Sequence, residues 1–282
     1  MNTIKKDTKE FIEQLKEAGV NIKTLNELYE NGLDFEIIEK EIGRYLTRKN
    51  VKTAICSDLL IINSFILARK KLGHEEAIKH IQSMEEEDKR ICKEVSKVGY
   101  EISSVWDFVN SPDNYPEALP VLVKLLPKIS NPKTKQGVVR ALTYRDSGIE
   151  VKEALVSEYR KFRIISKNDY IESLRFTLGN ALSVLCKKDD AKMILEFVGD
   201  SNYGRSRHML FHYLAKFKIR ESEETLIKLL EEDDIVIVNF AIDTLGKLKT
   251  ENAKKHISRF KNHPNPKTRE FVAKNLKRLE KK

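Results

Sequence analysis

Asn131-Pro132-Lys133-Thr134-Lys135 returns 134 residues later as Asn265-Pro266-Lys267-Thr268-Arg269, and seven residues past each closing basic residue stands a leucine, Leu142 or Leu276. Three helix-like segments between them carry Leu182, Leu214 and Leu245 in the same relative place, so the steps are 40, 32, 31 and 31 residues. Recurrence at a period of roughly 20–50 residues is the mark of stacked repeat units.

The last unit shows what is stacked. Residues 252–262 place Ala253, Ile257 and Phe260 on one helical face, and His263-Pro264-Asn265-Pro266 makes a turn. A second helix over 267–280 then aligns Phe271, Val272, Asn275, Leu276 and Leu279 at helical spacing. The preceding unit repeats the plan: Leu226 to Leu230, an acidic turn from Glu231 to Asp234, then Phe240, Ala241, Leu245 and Leu248. One helix pair cannot bury its apolar stripe alone, so neighbouring pairs must share a core.

These units resemble the HEAT-repeat family, and bacterial HEAT-repeat proteins in particular. The resemblance lies in the Leu-x-x-Leu-Leu first helices (Leu122 to Leu126, Leu226 to Leu230), in the Asn-Pro-Lys-Thr turn, and in a basic residue opening the second helix at Lys135, Arg175, Arg207 and Arg269. It covers about residues 100–282. It implies an all-α, right-handed α-α superhelix, a HEAT-like (armadillo-like) solenoid of antiparallel helix pairs, with the second helices lining the concave side. In the family the basic position belongs to an acid–arginine ladder between repeats, and Val238 interrupts that column here.

Composition agrees with helices. Of 282 residues 40% are hydrophobic, which suffices for a large core, while Gly and Pro are few and strand-like alternation is missing. The longest apolar stretch, Leu59 to Ala68, holds Asn63 and Ser64 and is too short to span a bilayer. The N-terminus is charged rather than apolar, unlike a secretory signal. Cys56, Cys92 and Cys186 are odd in number and far apart, fitting buried thiols in a reducing cytoplasm. We therefore expect a cytoplasmic protein with no membrane segment and no cofactor.

Residues 1–98 read as diverged helical repeats or an N-terminal helical cap, and 99–282 as the regular repeats. Gly19-x-x-Ile22-x-Thr24-Leu25-x-Glu27-Leu28 is echoed 80 residues on by Gly99-x-x-Ile102-x-Ser104-Val105-x-Asp107-Phe108. The formal charge of +9 is uneven: residues 245–282 hold 13 basic and 3 acidic residues. A polar terminal cap and a dock for an anionic partner both explain that end.

Two columns on the second helices are candidate contacts. Two residues before each repeat leucine stand Arg140, Asn180, His212, Asp243 and Lys274; six before stand Gln136, Phe176, His208, Asn239 and Glu270. Positions i and i+4 share a helix face, so the columns read as one polar surface. We expect Arg140, Asn180, His208, His212, Asn239, Asp243 and Lys274 to bind a protein partner, the chain serving as a non-catalytic scaffold. The alternative is a nucleic-acid-binding protein using Arg140, Arg175, Arg205, Arg207 and Lys274. One HEAT-like family excises alkylated purine bases from DNA with aromatic residues and an aspartate, and Trp106-Asp107 is the nearest match here. His208 and His212 have metal-ligand spacing with Asp243 one repeat on, but Met209 stands where a His-Glu-x-x-His glutamate belongs, so no metal is expected. Nucleophile elbows and P-loops do not occur in the sequence.

Overall fold

The computed structural model describes residues 74–111, 113–144, 147–163, 169–250 and 252–280. Residues 1–73 of the stretch read as diverged repeats or a cap, with the first half of the 80-residue echo and Cys56, lie outside them. Twelve α-helices and no strand occur among the described residues. They are α1 (His74–Ser96), α2 (Trp106–Asn110), α3 (Ala118–Leu125), α4 (Pro132–Leu142), α5 (Ile149–Lys161) and α6 (Asp169–Leu185), followed by α7 (Ala191–Gly199), α8 (His208–Phe217), α9 (Glu223–Leu229), α10 (Ile235–Leu248), α11 (Ala253–Ser258) and α12 (Pro266–Glu280). Among the described residues none is long and apolar enough to cross a membrane.

The chain divides into two compact units, one of residues 1–118 with 129–134, the other of 119–128 with 135–282. In the described part of the first, α1 turns acidic side chains onto backbone donors. Glu87, buried, accepts from the Ser130 N–H at 2.6 Å and from the Asn131 N–H at 3.1 Å. Asp88 accepts from the Val105 N–H and the Ser104 hydroxyl, each at 3.0 Å. Loop donors are thereby satisfied by side-chain carboxylates, as buried backbone requires.

In the second unit α6, α8, α10 and α12 pack each against the next, and α7, α9 and α11 likewise. Each of α7, α9 and α11 also packs on the helix that follows it, giving two layers. The repeat leucines lie at the seam: Leu142, Leu182, Leu214 and Leu245 are fully buried and Leu276, on the last helix, nearly so. Burying such a side chain contributes about 1.5–3 kcal/mol. Within this unit the basic residues near helix starts tie neighbouring helices together. Lys135 on α4 reaches Glu158 on α5 at 2.9 Å, and Arg207 holds Glu232 through two nitrogens at 3.0 and 2.6 Å.

The repeated Asn-Pro-Lys-Thr phrase makes the same cap twice. Asn131 Oδ1 accepts from the N–H groups of Lys133 and Thr134 at 2.9 and 3.3 Å; Asn265 Oδ1 accepts from Lys267 and Thr268 at 2.8 and 3.3 Å. Proline at the first helical position loses no hydrogen bond there. Asp234 caps α10 through the Val236 N–H at 2.9 Å, and α8 and α10 end on left-handed Lys218 and Lys249.

Candidate functional site

Successive second helices bring three columns of side chains together on one surface of the second unit. The first is aromatic: Phe176 of α6, His208 of α8, Phe240 of α10 and Phe271 of α12 follow one another with ring centroids 5.3, 4.5 and 6.5 Å apart. All four are half-buried, so each ring shares part of its surface with solvent and part with its neighbours. Such rings carry large apolar area at small conformational cost. His212 joins from below, 5.9 Å from Phe240. The polar column runs Asn180, His212, Asp243 and Lys274, of which all but Asp243 are exposed.

The third column stands two residues past each repeat leucine: Val184, Lys216, Lys247 and Arg278. Val184 is among the few large apolar side chains left exposed among the described residues, and Lys216 and Lys247 are exposed too. Corresponding residues of α10 and α12 are 31 apart in all three columns, so Phe240, Asp243 and Lys247 lie beside Phe271, Lys274 and Arg278.

Where these helices meet, one carboxylate faces three cations. Asp243 is 2.6 Å from Lys247 Nζ, 3.4 Å from Arg278 Nη1 and 3.6 Å from Lys274 Nζ, and the Asn275 amide donates to it at 3.3 Å. Burial alone would raise this carboxyl; Lys247, Asn275 and Lys274 together hold it below the usual carboxylate range. The surplus of positive charge is exposed chiefly at Lys274, whose side chain is 60% accessible.

His208 Nδ1 lies 2.7 Å from the Arg205 carbonyl oxygen. Burial lowers its basicity, and the positive charge of Arg205 and the neighbouring His212 act in the same direction, against the favourable bond to the carbonyl. The ring is therefore biased toward the neutral form, suited to apolar contact. Among the described residues no group of three His, Cys, Asp or Glu side chains is placed to hold a metal ion; Asp243 turns to its lysines and arginine.

Other sequence candidates fall elsewhere. Asn239 is buried, and its Oδ1 has no hydrogen-bond partner. Gln136 is buried too, its amide donating to the Ser173 carbonyl and hydroxyl and to the Thr177 hydroxyl. Arg140 is exposed on α4. Arg175 is fully buried, bonded to Glu172 at 2.6 Å and to the Asn202 carbonyl at 3.0 Å. Arg207 is buried against Glu232 and the carbonyls of Val198 and Gly204. Arg205 is exposed but paired with Asp234 at 2.9 Å. In the first unit, Trp106 is half-buried with Lys133 Nζ 4.5 Å from its ring centroid. Asp107 accepts from the Ser103 N–H, the Ser103 hydroxyl and the Ser104 N–H at 2.8, 2.9 and 3.2 Å. Its carboxylate thus organises the start of α2. Burial pushes the thiols of Cys92 and Cys186 up to about 11 and about 12, which keeps them protonated and unreactive.

No protein-family model matches the chain, and no curated protein matches it.

Counting six back from each leucine misses Phe240 and Phe271, which stand five back. Asn239 and Glu270 occupy the counted places, the one buried and the other exposed beside Lys267. On α10 and α12 the ring stands one residue nearer the leucine than on α6 and α8, about 100° around the helix, and the leucine spacing carries no signal of that shift. The Lys216–Lys247–Arg278 column was open to the same counting, carried two residues past each leucine.

Proposed function

We propose that the chain is a HEAT-like helical-repeat protein, a right-handed solenoid acting in the cytoplasm as a non-catalytic scaffold that takes a protein partner on its second helices. The observation that carries this reading is the half-exposed aromatic column Phe176–His208–Phe240–Phe271, flanked by Asn180, His212 and Lys274. Interfaces of this kind are built from aromatic anchors ringed by polar side chains. The free thiols of half-buried Cys92 and buried Cys186 suit a reducing compartment.

Nucleic-acid binding is the second reading, and cation placement weakens it. Phosphate recognition needs exposed positive charge free to displace counterions. Of the five residues that would supply it, Arg175 and Arg207 are buried on internal partners and Arg205 pairs with Asp234. Fluorescence anisotropy with duplex and single-stranded DNA at two salt concentrations separates the readings. The scaffold reading expects no micromolar binding even at low salt. Tight binding that falls steeply with salt and with Arg140→Ala/Arg205→Ala would overturn it.

A further inference from the structure

We infer that the partner segment this face takes is an acidic amphipathic helix, its apolar stripe on the aromatic column and its carboxylates against Lys216, Lys247 and Arg278. The inference rests on the protein-binding reading and specifies the chemistry of the partner.

The argument starts from spacing. Phe240 and Lys247 are seven residues apart on α10, and Phe271 and Arg278 seven apart on α12. At the helical rise this separates aromatic and basic columns by about 10 Å, close to the ~10–12 Å width of an α-helix with its side chains. One helix laid across α8, α10 and α12 therefore meets both columns at once, with apolar residues on one edge and charged residues on the other. The second spacing runs from rung to rung. Packed helices lie about 8–10 Å apart. A crossing helix advances about 10 Å in seven residues, so residues at i, i+7 and i+14 meet His208, Phe240 and Phe271 in turn. About three heptads span the surface.

Charge decides the sign of the partner. On these rungs the basic column presents Lys216 and Lys247 exposed and Arg278 half-buried. The intervening Asp243 is outnumbered three to one by cations within 3.6 Å. Beyond it the chain continues basic, with 13 Lys/Arg against 3 Asp/Glu over 245–282. Carboxylates on the edge of the incoming helix complete this cluster, and lysines would be repelled. Ring geometry argues against a nucleic-acid strand. The successive rings tilt by 58°, 33° and 47° and pack on one another, whereas single-strand binders offer open faces on which bases stack.

The test is fluorescence anisotropy of the whole chain with labelled peptides of about three heptads. One has leucine at heptad spacing and glutamate on the adjoining edge; a second has lysine for glutamate, a third serine, and the fourth is a scrambled acidic sequence. Oligothymidine is the nucleic-acid arm. The acidic amphipathic peptide is expected to bind, with affinity falling as salt is raised. Lys216→Glu/Lys247→Gln and Phe240→Ala are each expected to weaken it roughly tenfold, the scale of a lost interface anchor. Lys216→Glu alone, at an exposed position, covers the case in which Phe240→Ala fails to fold. Equal binding of the lysine or serine peptide, lost on Phe240→Ala, overturns the acidic chemistry and leaves the protein-binding face standing. Binding of the acidic peptide that neither variant weakens also overturns the inference. Binding by none of the peptides, or tighter binding of oligothymidine lost with the same variants, overturns both.

Discussion

Thr268 carries a hydroxyl with nothing to bond. Its Oγ1 is buried and without a partner, and so is that of Thr134 in the matching cap. A buried unbonded hydroxyl costs about 1–3 kcal/mol, and valine has the same shape without it. Thr268→Val is therefore expected to raise stability by about 1 kcal/mol, read as a higher midpoint in urea; a lower midpoint would show that the hydroxyl is bonded. His208 gives the opposite kind of signal. Its basicity is lowered on folding, so the unfolded chain binds the proton more readily and stability must fall as pH drops below the ordinary imidazole value. Burial and Lys133 lower His80 in the same sense. His208→Phe should therefore flatten, without abolishing, the loss of stability between pH 7 and pH 5, as followed by thermal melts. An unchanged slope would contradict the burial of that ring. The sequence shows a histidine at metal-ligand spacing, but a helix facing Phe176 and Phe240 makes it an aromatic neighbour. That environment is a tertiary fact and invisible in spacing.

At the scale of elements the sequence says more. The 31- and 32-residue steps place α8, α10 and α12 with their leucines inward, and the Asn-Pro-Lys-Thr phrases locate the starts of α4 and α12. Tertiary contact decides what the period leaves open. Gly246 faces Asn275 so closely that a Cβ there would sit 2.6 Å from the Asn275 Cβ. Asn275 is itself fixed by bonds to the Phe271 carbonyl and Asp243. Gly246→Ala is thus expected to destabilise by roughly 1–3 kcal/mol, the range for overpacking a core, although alanine is the better helix former. A gain in melting temperature would show that α10 and α12 do not approach as described. Lys218 tests a helix end: with φ of 53° it holds a left-handed conformation that glycine adopts without strain. Lys218→Gly should stabilise by about 1 kcal/mol, and no change would mean the terminus frays. Gly246 does not stand out in the sequence, because close approach leaves no periodic trace; Lys218 and Lys249 each stand four past a repeat leucine, but a lysine carries no signal of positive φ.

Across the whole molecule, the charge gradient was legible and its use was not. Thirteen basic residues in the last 38 read more readily as a solvated cap than as a dock. Folding divides them, setting Lys247, Lys274 and Arg278 around Asp243 while Arg269 turns to the carbonyls of His263 and Pro264. The same division buries Arg175 and Arg207, the basic residues that the sequence places at the opening of second helices. What emerges is a surface repeated from helix to helix, aromatic on one edge and basic on the other. The most direct measurement replaces one residue at a time with a photo-crosslinking phenylalanine in the cells that make the protein: His212, exposed on the second helices, and Lys192, exposed on α7 in the other layer. The account predicts a discrete protein adduct from position 212, weakened by Phe240→Ala, and none from position 192. An adduct confined to position 192, or one at 212 made of nucleic acid, would contradict it.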